Sequence, residues 1–371
     1  MKVQTVGDLK TPAFLVDLPV LRRNIAHMAA RAERLGVKLR PHLKTHKTVE
    51  VARMQVPDPV GGVTVSTLAE AEFFKAGGFR DITYACPLDP NKIPEAARIG
   101  QGVRLNLLLD HPDTAAALES YGSAHNVRFA VFLKVDCGYH RAGVDPQKPE
   151  SVTLGRQLHG APHLDFRGIL THAGHSYHCS GVDEIKAVAR EERDVMVAFA
   201  ERLRAAGVSV PVVSIGSTPT AMHAESWEGV SEIRPGNYAF FDNFMATIGA
   251  CTLADCAATI LVSVVGHYPD RNRMLVDGGA LAFSKDAGAT HVDPETNFGP
   301  VVGHPGLKLA SMSQELGIVT SSAPIGFDRF PIGSRLRVVP NHSCLAAALF
   351  PEYQAVEGNR VVDSWVPNRG W

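Results

Sequence analysis

The sequence predicts two domains, a (β/α)8 barrel over residues 13–245 and an antiparallel β domain over residues 246–371 that also takes in residues 1–12. We predict the barrel because short β-type runs alternate with helix-type stretches about eight times, as parallel strands joined by crossover helices do. After residue 245, β-type runs are broken by Gly, Pro, Asn and Asp without a sustained helical period, which is typical of antiparallel sheets. For the first domain, a doubly wound open sheet is the alternative architecture.

Eight short runs are the strand candidates of the barrel, because each is rich in β-branched, aromatic or leucine residues. They cover residues 13–18, 37–44, 63–68, 81–86, 104–109, 127–136, 166–173 and 212–217. The stretches between them are amphipathic, and Leu21, Ile25 and Met28 recur at helical spacing within residues 21–36. This stretch and residues 184–207 both end at a glycine, the residue that most often follows the last turn of a helix.

The composition excludes several classes of protein. Lys and Arg number 37 against 38 Asp and Glu, whereas a nucleic-acid binder normally carries a basic excess. The same balance argues against a polybasic membrane anchor, and the hydrophobic content of 45% argues against disorder. The chain also has 16 His, the side chain most often used for proton transfer and metal binding near neutral pH. We expect a globular protein that binds neither nucleic acid nor membrane.

The chain start and the cysteines predict the compartment. Residues 1–12 contain no apolar segment of the kind found in export signals. The longest uncharged apolar run, residues 257–266, is about half as long as a membrane span. The six cysteines are widely spaced and form no CxxC pair, as expected of reduced thiols. These features predict a cytoplasmic protein.

The first candidate site motif is LRPHLKTHKT, residues 39–48. Strand alternation would place Arg40, His42 and Lys44 on one face, which is costly unless that face lines a site. Lys44 would then lie at the carboxyl end of the second strand, where barrel enzymes place their catalytic groups. A lysine there suits Schiff-base chemistry. The alternative is a basic loop on a solvated edge.

Two further motifs follow later strands of the predicted barrel. In KVDCGYHRAGV, residues 134–144, Arg141 lies in a glycine-flanked turn and could hold an anionic oxygen; the alternative is a surface arginine. In LTHAGHSYHCSG, three histidines, His172, His175 and His178, lie within seven residues at a strand end. Their spacing is compatible with a metal site, with acid–base chemistry or with stacking on a planar cofactor.

Small and hydroxyl-bearing residues follow the last predicted strands of the barrel, in SIGSTPT (214–220) and EIRPGNY (232–238). Such turns offer backbone N–H groups to a phosphate, and phosphate sites of barrel enzymes lie near the last strands. Either turn alone is weak evidence. As a pair in the last two βα units, they predict a phosphate site.

The motif VVPNHSCLAA, residues 338–347, lies in the predicted β domain. In a strand, His342 and Cys344 would project to the same side and could bind one ion. Imidazole plus thiolate is a typical ligand set for Zn²⁺, and two ligands leave positions for water or substrate, as a catalytic site requires. The alternative is a buried cysteine beside a surface histidine.

In this order along the chain, the motifs resemble those of the fold-type III pyridoxal-phosphate enzymes, the group with an alanine racemase N-terminal-like barrel. Within that group, PHLKTHK, HAGHSY, GSTPT, RPGNY and PNHSC are most similar to the D-threonine aldolase and D-serine dehydratase branch. The resemblance runs from TPAFLVDL to PNHSC, nearly the whole chain. It implies a barrel that binds pyridoxal phosphate and a β domain that carries metal ligands.

The resemblance implies a role for each candidate residue. Lys44 matches the lysine that forms the Schiff base with pyridoxal phosphate, and His342 and Cys344 match the divalent-metal pair. His178 lies where related aldolases keep a histidine base. The implied cofactor contacts are Arg141 near the phenolic oxygen, His172 on the pyridine ring, Arg234 against the pyridine nitrogen, and Gly216, Ser217, Thr218, Gly236, Asn237 and Tyr238 around the phosphate.

The resemblance also implies a substrate class, the β-hydroxy-D-amino acids. The family's dehydratases have His-x-Cys, as here, whereas its aldolases have His-x-Asp, so we expect a dehydratase of D-serine or D-threo-3-hydroxyaspartate that yields a keto acid and ammonia. A D-threonine aldolase is the alternative, and an amino-acid racemase the third. The soft thiolate favours Zn²⁺ over Mn²⁺ or Mg²⁺.

Two expectations concern assembly and class. Family enzymes generally dimerise, so a homodimer is expected by resemblance. A non-catalytic cofactor-binding barrel protein is a further alternative, but proteins of that group typically have no β domain. The additional segment of about 120 residues, with its PNHSC motif, therefore favours an enzyme.

Overall fold

The computed structural model describes residues 4–58, 60–295 and 297–371. Its contacts divide the chain into two compact units. The barrel unit consists of residues 28–236 and 368–371, and the β unit consists of residues 1–27 and 237–367. Residues 1–3 of the predicted segment 1–12 lie outside the described residues. The boundaries drawn from the sequence, 13–245 and 246–371, stay a prediction.

The first predicted strand does not belong to the barrel. It forms β1 (Ala13–Asp17), which pairs antiparallel with residues 258–261 and parallel with residues 353–356 of the β unit. A run of five residues whose central three are fully buried fits the middle of either kind of sheet, so its composition alone could not assign it. Helix α1 (Leu18–Arg34) follows directly.

The barrel is built from eight parallel strands that follow β1 and α1 along the chain. They are β2 (Lys38–Leu39), β3 (Gly62–Val65), β4 (Asp81–Pro87), β5 (Arg104–Leu109), β6 (Phe129–Lys134), β7 (Leu164–Leu170), β8 (Val212–Ile215) and β9 (Glu232–Ile233). The hydrogen-bonded order is β2-β9-β8-β7-β6-β5-β4-β3. A parallel bridge between His42 and Thr64 brings β2 and β3 together, so the ring is nearly closed. The predicted (β/α)8 barrel is confirmed, with β9 as the strand that composition missed.

Seven helices of the barrel unit alternate with these strands after α1. They are α2 (Val49–Gln55), α3 (Leu68–Ala76), α4 (Ile93–Ile99), α5 (Pro112–His125), α6 (Pro149–Gly160), α7 (Val182–Ala205) and α8 (Thr218–His223). In α7, Ile185, Ala189 and Met196 are buried at helical spacing, as its amphipathic pattern predicts. The turn after α7 contains Gly207 at φ +83°, a left-handed conformation that glycine adopts without strain.

Arg40 is an ion-pair residue of the barrel interior, not a member of the predicted site face. Its Nε lies 2.8 Å from Glu232 Oε2, and its Nη1 lies 3.0 Å from Asp81 Oδ1. Asp81 and Glu232 begin β4 and β9, so the guanidinium sits at the amino ends of these strands. This corrects the strand-face interpretation, because the charge of Arg40 is balanced by two carboxylates.

The β unit contains an eight-stranded sheet that includes β1. Its other elements are strands β10 (Ala258–Tyr268), β11 (Arg273–Val276), β12 (Leu307–Met312), β13 (Gly317–Ser321), β14 (Arg335–Val338), β15 (Tyr353–Glu357) and β16 (Arg360–Trp365), with helices α9 (Asn243–Thr247), α10 (Ala280–Phe283) and α11 (Ser343–Ala347). The order is β12-β13-β11-β10-β1-β15-β16, and β14 pairs with β10.

The pairing in the β unit is antiparallel apart from the parallel pair β1–β15, so the predicted antiparallel β domain is confirmed with a mixed centre. Its core contains the fully buried rings of Phe14 and Tyr353, whose centroids lie 4.8 Å apart. Among the described residues, no helix combines the length and apolar character needed to cross a bilayer.

Candidate functional site

Lys44 lies just beyond the carboxyl end of β2, in a 3₁₀ turn over Leu43–Thr45. The predicted strand over 37–44 is therefore too long, because the 3₁₀ turn begins at Leu43, directly after the His42 N–H, which donates to the Pro235 carbonyl at 2.9 Å. His42 precedes the turn, and its Nδ1 accepts a hydrogen bond of 3.4 Å from the Lys44 N–H. The lysine side chain is exposed at the strand end, the place from which barrel enzymes present catalytic groups.

The two histidines that flank Lys44 differ in their surroundings. His46 is fully buried, hydrogen-bonds Gln55 through Nε2 at 2.9 Å, and accepts the Thr48 N–H at 3.1 Å. Burial lowers its pKa to about 4, so His46 is a neutral structural group at the start of α2. His42 instead faces the strand ends, with Nε2 3.4 Å from Ser66 Oγ.

His42 and His172 lie in the same positively charged environment. Burial, followed by the charges of Lys44 and Arg234, holds the pKa of His42 well below its usual range. Burial, followed by Lys44, Lys134 and Arg141, does the same for His172 directly after β7. The two imidazoles are therefore neutral near pH 7. The structure thus brings together groups that follow β2, β6, β7 and β9, as the motifs predicted.

The ring of Tyr139 contacts Arg141, His172 and His178. The Arg141 guanidinium lies 5.1 Å from the Tyr139 ring centroid, and the rings of His172 and His178 lie 6.4 and 6.3 Å from it. A Cβ on Gly174 would come within 2.1 Å of the Tyr139 ring, so only glycine permits this packing. The side chains of Arg141 and His178 are exposed and therefore accessible to a bound molecule.

The segment after β8, where the sequence predicts a phosphate site, contains a glycine with positive φ and a buried hydroxyl. Gly216 has φ +107°, and Ser217 Oγ accepts the Thr220 N–H at 3.3 Å at the start of α8. Thr218 Oγ1 is buried and has no hydrogen-bond partner among the described residues. A Cβ on Gly236 would lie 2.9 Å from the His42 carbonyl oxygen. An unpartnered buried hydroxyl beside a glycine-lined turn fits an anionic group of a cofactor.

Arg234 is buried at the carboxyl ends of β7 and β8. Its Nη1 donates to Ser214 Oγ at 2.6 Å and to the Ile215 carbonyl at 3.3 Å, and its Nη2 donates to the Thr171 carbonyl. Burial lowers its pKa to about 10, against the opposing charge of Glu232. These bonds orient the guanidinium, which stays charged at neutral pH.

Two buried charged residues at this end of the barrel were missed in the sequence. Lys134 ends β6, and burial, then Arg234 and Arg141, lowers its pKa to about 8. A lysine directly after the apolar run 127–133 was a signal that could have found it. Glu192 is one of many charged residues of α7, so no sequence signal distinguishes it.

Glu192 joins the segments that follow β7 and β8. Its Oε1 accepts the Ala173 N–H at 3.1 Å and the Gly216 N–H at 2.9 Å. Its Oε2 accepts the Thr220 hydroxyl at 3.1 Å. The carboxylate is fully buried and therefore positions both segments relative to each other.

We expect Glu192→Leu to lower the free energy of unfolding by about 2 kcal/mol or more, because buried N–H groups lose their acceptor. Glu192→Gln keeps an oxygen in the same place and should lose less. The measurement is urea unfolding of both variants, with Glu191→Gln as the control, since Glu191 is largely exposed. Equal losses for leucine and glutamine would contradict the role of the acceptor oxygen.

His342 and Cys344 lie at the start of a helix instead of in a strand. His342 is the N-cap of α11, with φ −134° and ψ 99°, and Cys344 lies in the first helical turn. The strand prediction is wrong because a PN turn ends β14 and α11 begins within the motif. The two side chains nevertheless lie close enough to interact, so the two predicted residues are together. Nitrogen and sulfur donors side by side fit a Zn²⁺-type ion.

Asp286 lies beside the pair and was missed in the sequence. Its Oδ2 lies 3.0 Å from His342 Nδ1. Since this bond uses Nδ1, the other ring nitrogen can serve as a metal ligand. Across the described parts of the chain, no group of three or more His, Cys, Asp or Glu side chains is arranged to hold a metal.

Asn237 and Tyr238 begin the β unit, in a 3₁₀ turn over Asn237–Ala239. Asn237 Nδ2 donates to Asp242 Oδ2 at 2.7 Å, to Ser343 Oγ at 3.1 Å and to Cys344 Sγ at 3.8 Å. Its amide side chain is thus bound to the PNHSC segment. The phosphate contacts predicted for Asn237 and for the fully buried Tyr238 stay predictions.

Comparison with known families matches nearly the whole chain. Residues 16–243 match the model of the alanine racemase N-terminal domain, and residues 257–356 match that of a putative serine dehydratase domain. The D-serine dehydratase of Dictyostelium discoideum is 39% identical over 99% of this chain and 98% of its own length. The 3-hydroxy-D-aspartate aldolase of Paracoccus denitrificans is 28% identical over 97% of this chain and 92% of its own.

A bacterial relative is similar in both sequence and structure. The D-threo-3-hydroxyaspartate dehydratase of Delftia sp. (strain HT23) is 41% identical over 99% of each chain. Its solved structure has a TM-score of 0.95 and covers 99% of this chain and 100% of that one. A cysteine-to-alanine variant of it, solved in the metal-free form, also gives a TM-score of 0.95.

Proposed function

The chain belongs to the fold-type III pyridoxal-phosphate enzymes of the alanine racemase-like barrel family, and on that premise we propose that it is a lyase acting on β-hydroxy-D-amino acids. The proposed reaction is β-elimination, in which the Cα proton and the β-hydroxyl leave. Hydrolysis of the product then yields a keto acid and ammonia. The substrates proposed are D-serine and D-threo-3-hydroxyaspartate.

The observation that carries this proposal is the pair of His342 and Cys344 at the start of α11, whose histidine is oriented by Asp286. The two dehydratases, at 39% and 41% identity, are more similar to the chain than the aldolase, at 28%. A divalent metal held by this pair supplies a Lewis acid that makes a hydroxyl a better leaving group. A thiolate ligand favours Zn²⁺, which we propose as the metal.

The barrel unit offers most of the groups that would hold pyridoxal phosphate. When bound, it supplies an electron sink for the electron pair left on the substrate's Cα. Lys44 would hold it covalently through Nζ. The residues proposed for its ring and phosphate are Arg141, His172, Arg234, Gly216, Ser217, Thr218, Gly236, Asn237 and Tyr238.

The chain's own residues then move protons and hold charge. We propose that Lys44 Nζ, exposed at the end of β2, takes the proton from the substrate's Cα once the substrate's amino group has displaced it from its covalent bond. The neutral rings of His42 and His172 surround this position without adding positive charge. Arg234 stays oriented by Ser214 and two backbone carbonyls, so it presents a constant positive charge.

One observation supports retro-aldol cleavage as the second candidate. His178 is exposed and lies close to Tyr139 and Arg141. These residues follow β6 and β7, at the same end of the barrel as Lys44. There His178 could take the proton of a substrate hydroxyl, which would give glycine and an aldehyde. Racemisation is the third candidate reaction. It would not require the His342–Cys344 pair.

Product analysis separates these reactions. The purified enzyme, loaded with pyridoxal phosphate and Zn²⁺, is incubated with D-serine, D-threonine and D-threo-3-hydroxyaspartate. We expect ammonia and keto acid in equal amounts from D-serine or D-threo-3-hydroxyaspartate, and no glycine. Formation of glycine and an aldehyde would indicate the aldolase reaction instead of elimination. An L-amino acid as the sole product would indicate a racemase.

We also propose that the enzyme is a cytoplasmic homodimer. All six cysteines are free thiols, which suits a reducing compartment. Helices α10 and α11 of the β unit expose Leu281 and Leu345, at 57% and 45%, and Leu349 directly after α11 is 42% exposed. Exposed leucines on adjacent short helices are typical of a surface that a second subunit covers.

A further inference from the structure

A metal site with two protein ligands needs these ligands to be held in place. Structural zinc sites have four protein ligands, and catalytic sites usually have three. If the two ligand side chains were mobile before the ion bound, fixing them would cost conformational entropy. The ion would then bind weakly. The structure around His342 and Cys344 shows how this cost is reduced.

We propose that Asp286 and Asn237 are positioning residues for the divalent metal, with Asp286 orienting His342, Asn237 orienting Cys344, and Asp242 anchoring Asn237. This inference rests on the metal site of the proposed function. It gives Asn237 a role that its sequence motif did not predict.

Asp286 fixes the ring of His342. Its Oδ2 lies 3.0 Å from His342 Nδ1, and its Oδ1 accepts the Gly288 N–H at 2.8 Å. Because both carboxylate oxygens are engaged, the carboxylate cannot rotate freely. A carboxylate at Nδ1 keeps the proton on that nitrogen and leaves the lone pair on Nε2, which is the arrangement common in histidine metal ligands.

Asn237 serves the thiol in a corresponding way. Its Nδ2 donates to Cys344 Sγ at 3.8 Å and to Ser343 Oγ at 3.1 Å. The amide orientation is set by Asp242, whose acceptor oxygen lies 2.7 Å from Nδ2. An N–H donor of this kind stabilises a thiolate ligand and limits its rotation.

Asn237 also has an oxygen that no described residue uses. The side chain is buried, and its Oδ1 has no hydrogen-bond partner among the described residues. A buried acceptor without a partner costs free energy unless a water or hydroxyl satisfies it. A water or a hydroxyl-bearing molecule within hydrogen-bond reach of Asn237 would satisfy this oxygen.

Asp242 connects these parts. It is fully buried, and Oδ2 accepts both the Asn237 amide and the Ser343 N–H, at 2.7 and 2.9 Å. Its other oxygen accepts the Met245 N–H at 3.0 Å. Asp242 thus ties the turn that carries Asn237 to the start of α11, one residue before Cys344.

The test is zinc affinity, measured on the cofactor-loaded enzyme after metal removal, by titration with Zn²⁺ against a competing chelator. We expect Asp286→Ala and Asn237→Ala each to weaken Zn²⁺ binding about 10- to 100-fold. Asp286→Asn retains an oxygen for Nδ1 and should lose less. Asp293→Ala is the control, since Asp293 is exposed in the same loop and its Oδ1 accepts the Glu295 N–H at 3.0 Å.

The outcomes separate this inference from the proposed function. If the native enzyme binds no Zn²⁺, the proposed metal site fails. If it binds Zn²⁺ and folded Asp286→Ala and Asn237→Ala bind it as tightly, the positioning role is overturned. Each metal-free variant is first shown to keep a cooperative thermal transition, so that Zn²⁺ binding is compared between folded proteins. If Asp286→Ala does not fold, Asp286→Asn and Asn237→Ala decide the question alone.

Discussion

Lys44→Ala is expected to lower kcat for elimination by about 10²- to 10⁴-fold, because the group proposed to take the Cα proton is lost. The variant should also lose covalent attachment of pyridoxal phosphate. The measurements are steady-state kinetics with D-serine and mass spectrometry after borohydride treatment. In the native enzyme, one pyridoxyl group should appear on the peptide with Lys44, and none should appear in the variant.

Lys38→Ala is the matched control for this prediction. Lys38 begins β2 and is exposed, and it lies at the opposite end of the short strand from Lys44. We expect this control to keep its activity and its covalent cofactor. A Lys44→Ala enzyme that still carries a borohydride-stable pyridoxyl group would show that another lysine is attached, and buried Lys134 would be the first to examine.

Replacing either His342 or Cys344 by alanine is expected to abolish metal-dependent elimination while the visible absorbance of the cofactor is retained. A Lewis-acid metal stabilises the transition state by several kcal/mol, so the rate should fall roughly 10³-fold. The measurements are ammonia release, bound Zn²⁺ and the absorbance of pyridoxal phosphate. Treatment of the native enzyme with a chelator should give the same loss.

Metal reconstitution provides the control for this second prediction. Zn²⁺ should restore the chelator-treated native enzyme and leave both variants inactive. Cys251→Ser, which changes a partly exposed thiol of the same unit, should behave as the native enzyme. Full activity in the presence of chelator, with no Zn²⁺ bound, would refute the metal role of the pair.

The barrel was predictable because its signal is repeated. Alternation of apolar runs with amphipathic stretches, summed over eight units, is insensitive to an error in any one of them. That is why the misassigned strand β1 and the missed strand β9 did not change the fold class. A two-residue strand such as β9 has no periodicity of its own, so only its pairing with β8 and β2 identifies it.

The candidate site was predictable to the extent that its residues follow strand ends. Lys44, Arg141, His172 and Gly216 occur in the segments that follow β2, β6, β7 and β8, and parallel strands bring these ends together. Arg40 and His46 occur in the same motif as Lys44, but one bonds to carboxylates at the amino ends and the other to Gln55. Their positions in the motif could not distinguish these roles. Which end of the barrel a side chain faces depends on the partners it finds in the folded protein.

Fold class, family resemblance and the His-x-Cys motif could be predicted from the sequence, because periodicity and short motifs are local properties of a chain. The distant groups that support these features become visible only in the folded protein. Glu192 meets residues 173 and 216, and Asp286 meets His342 across 56 positions. Such contacts depend on long-range packing. In the sequence, an acidic residue that becomes buried cannot be distinguished from one that stays at the surface.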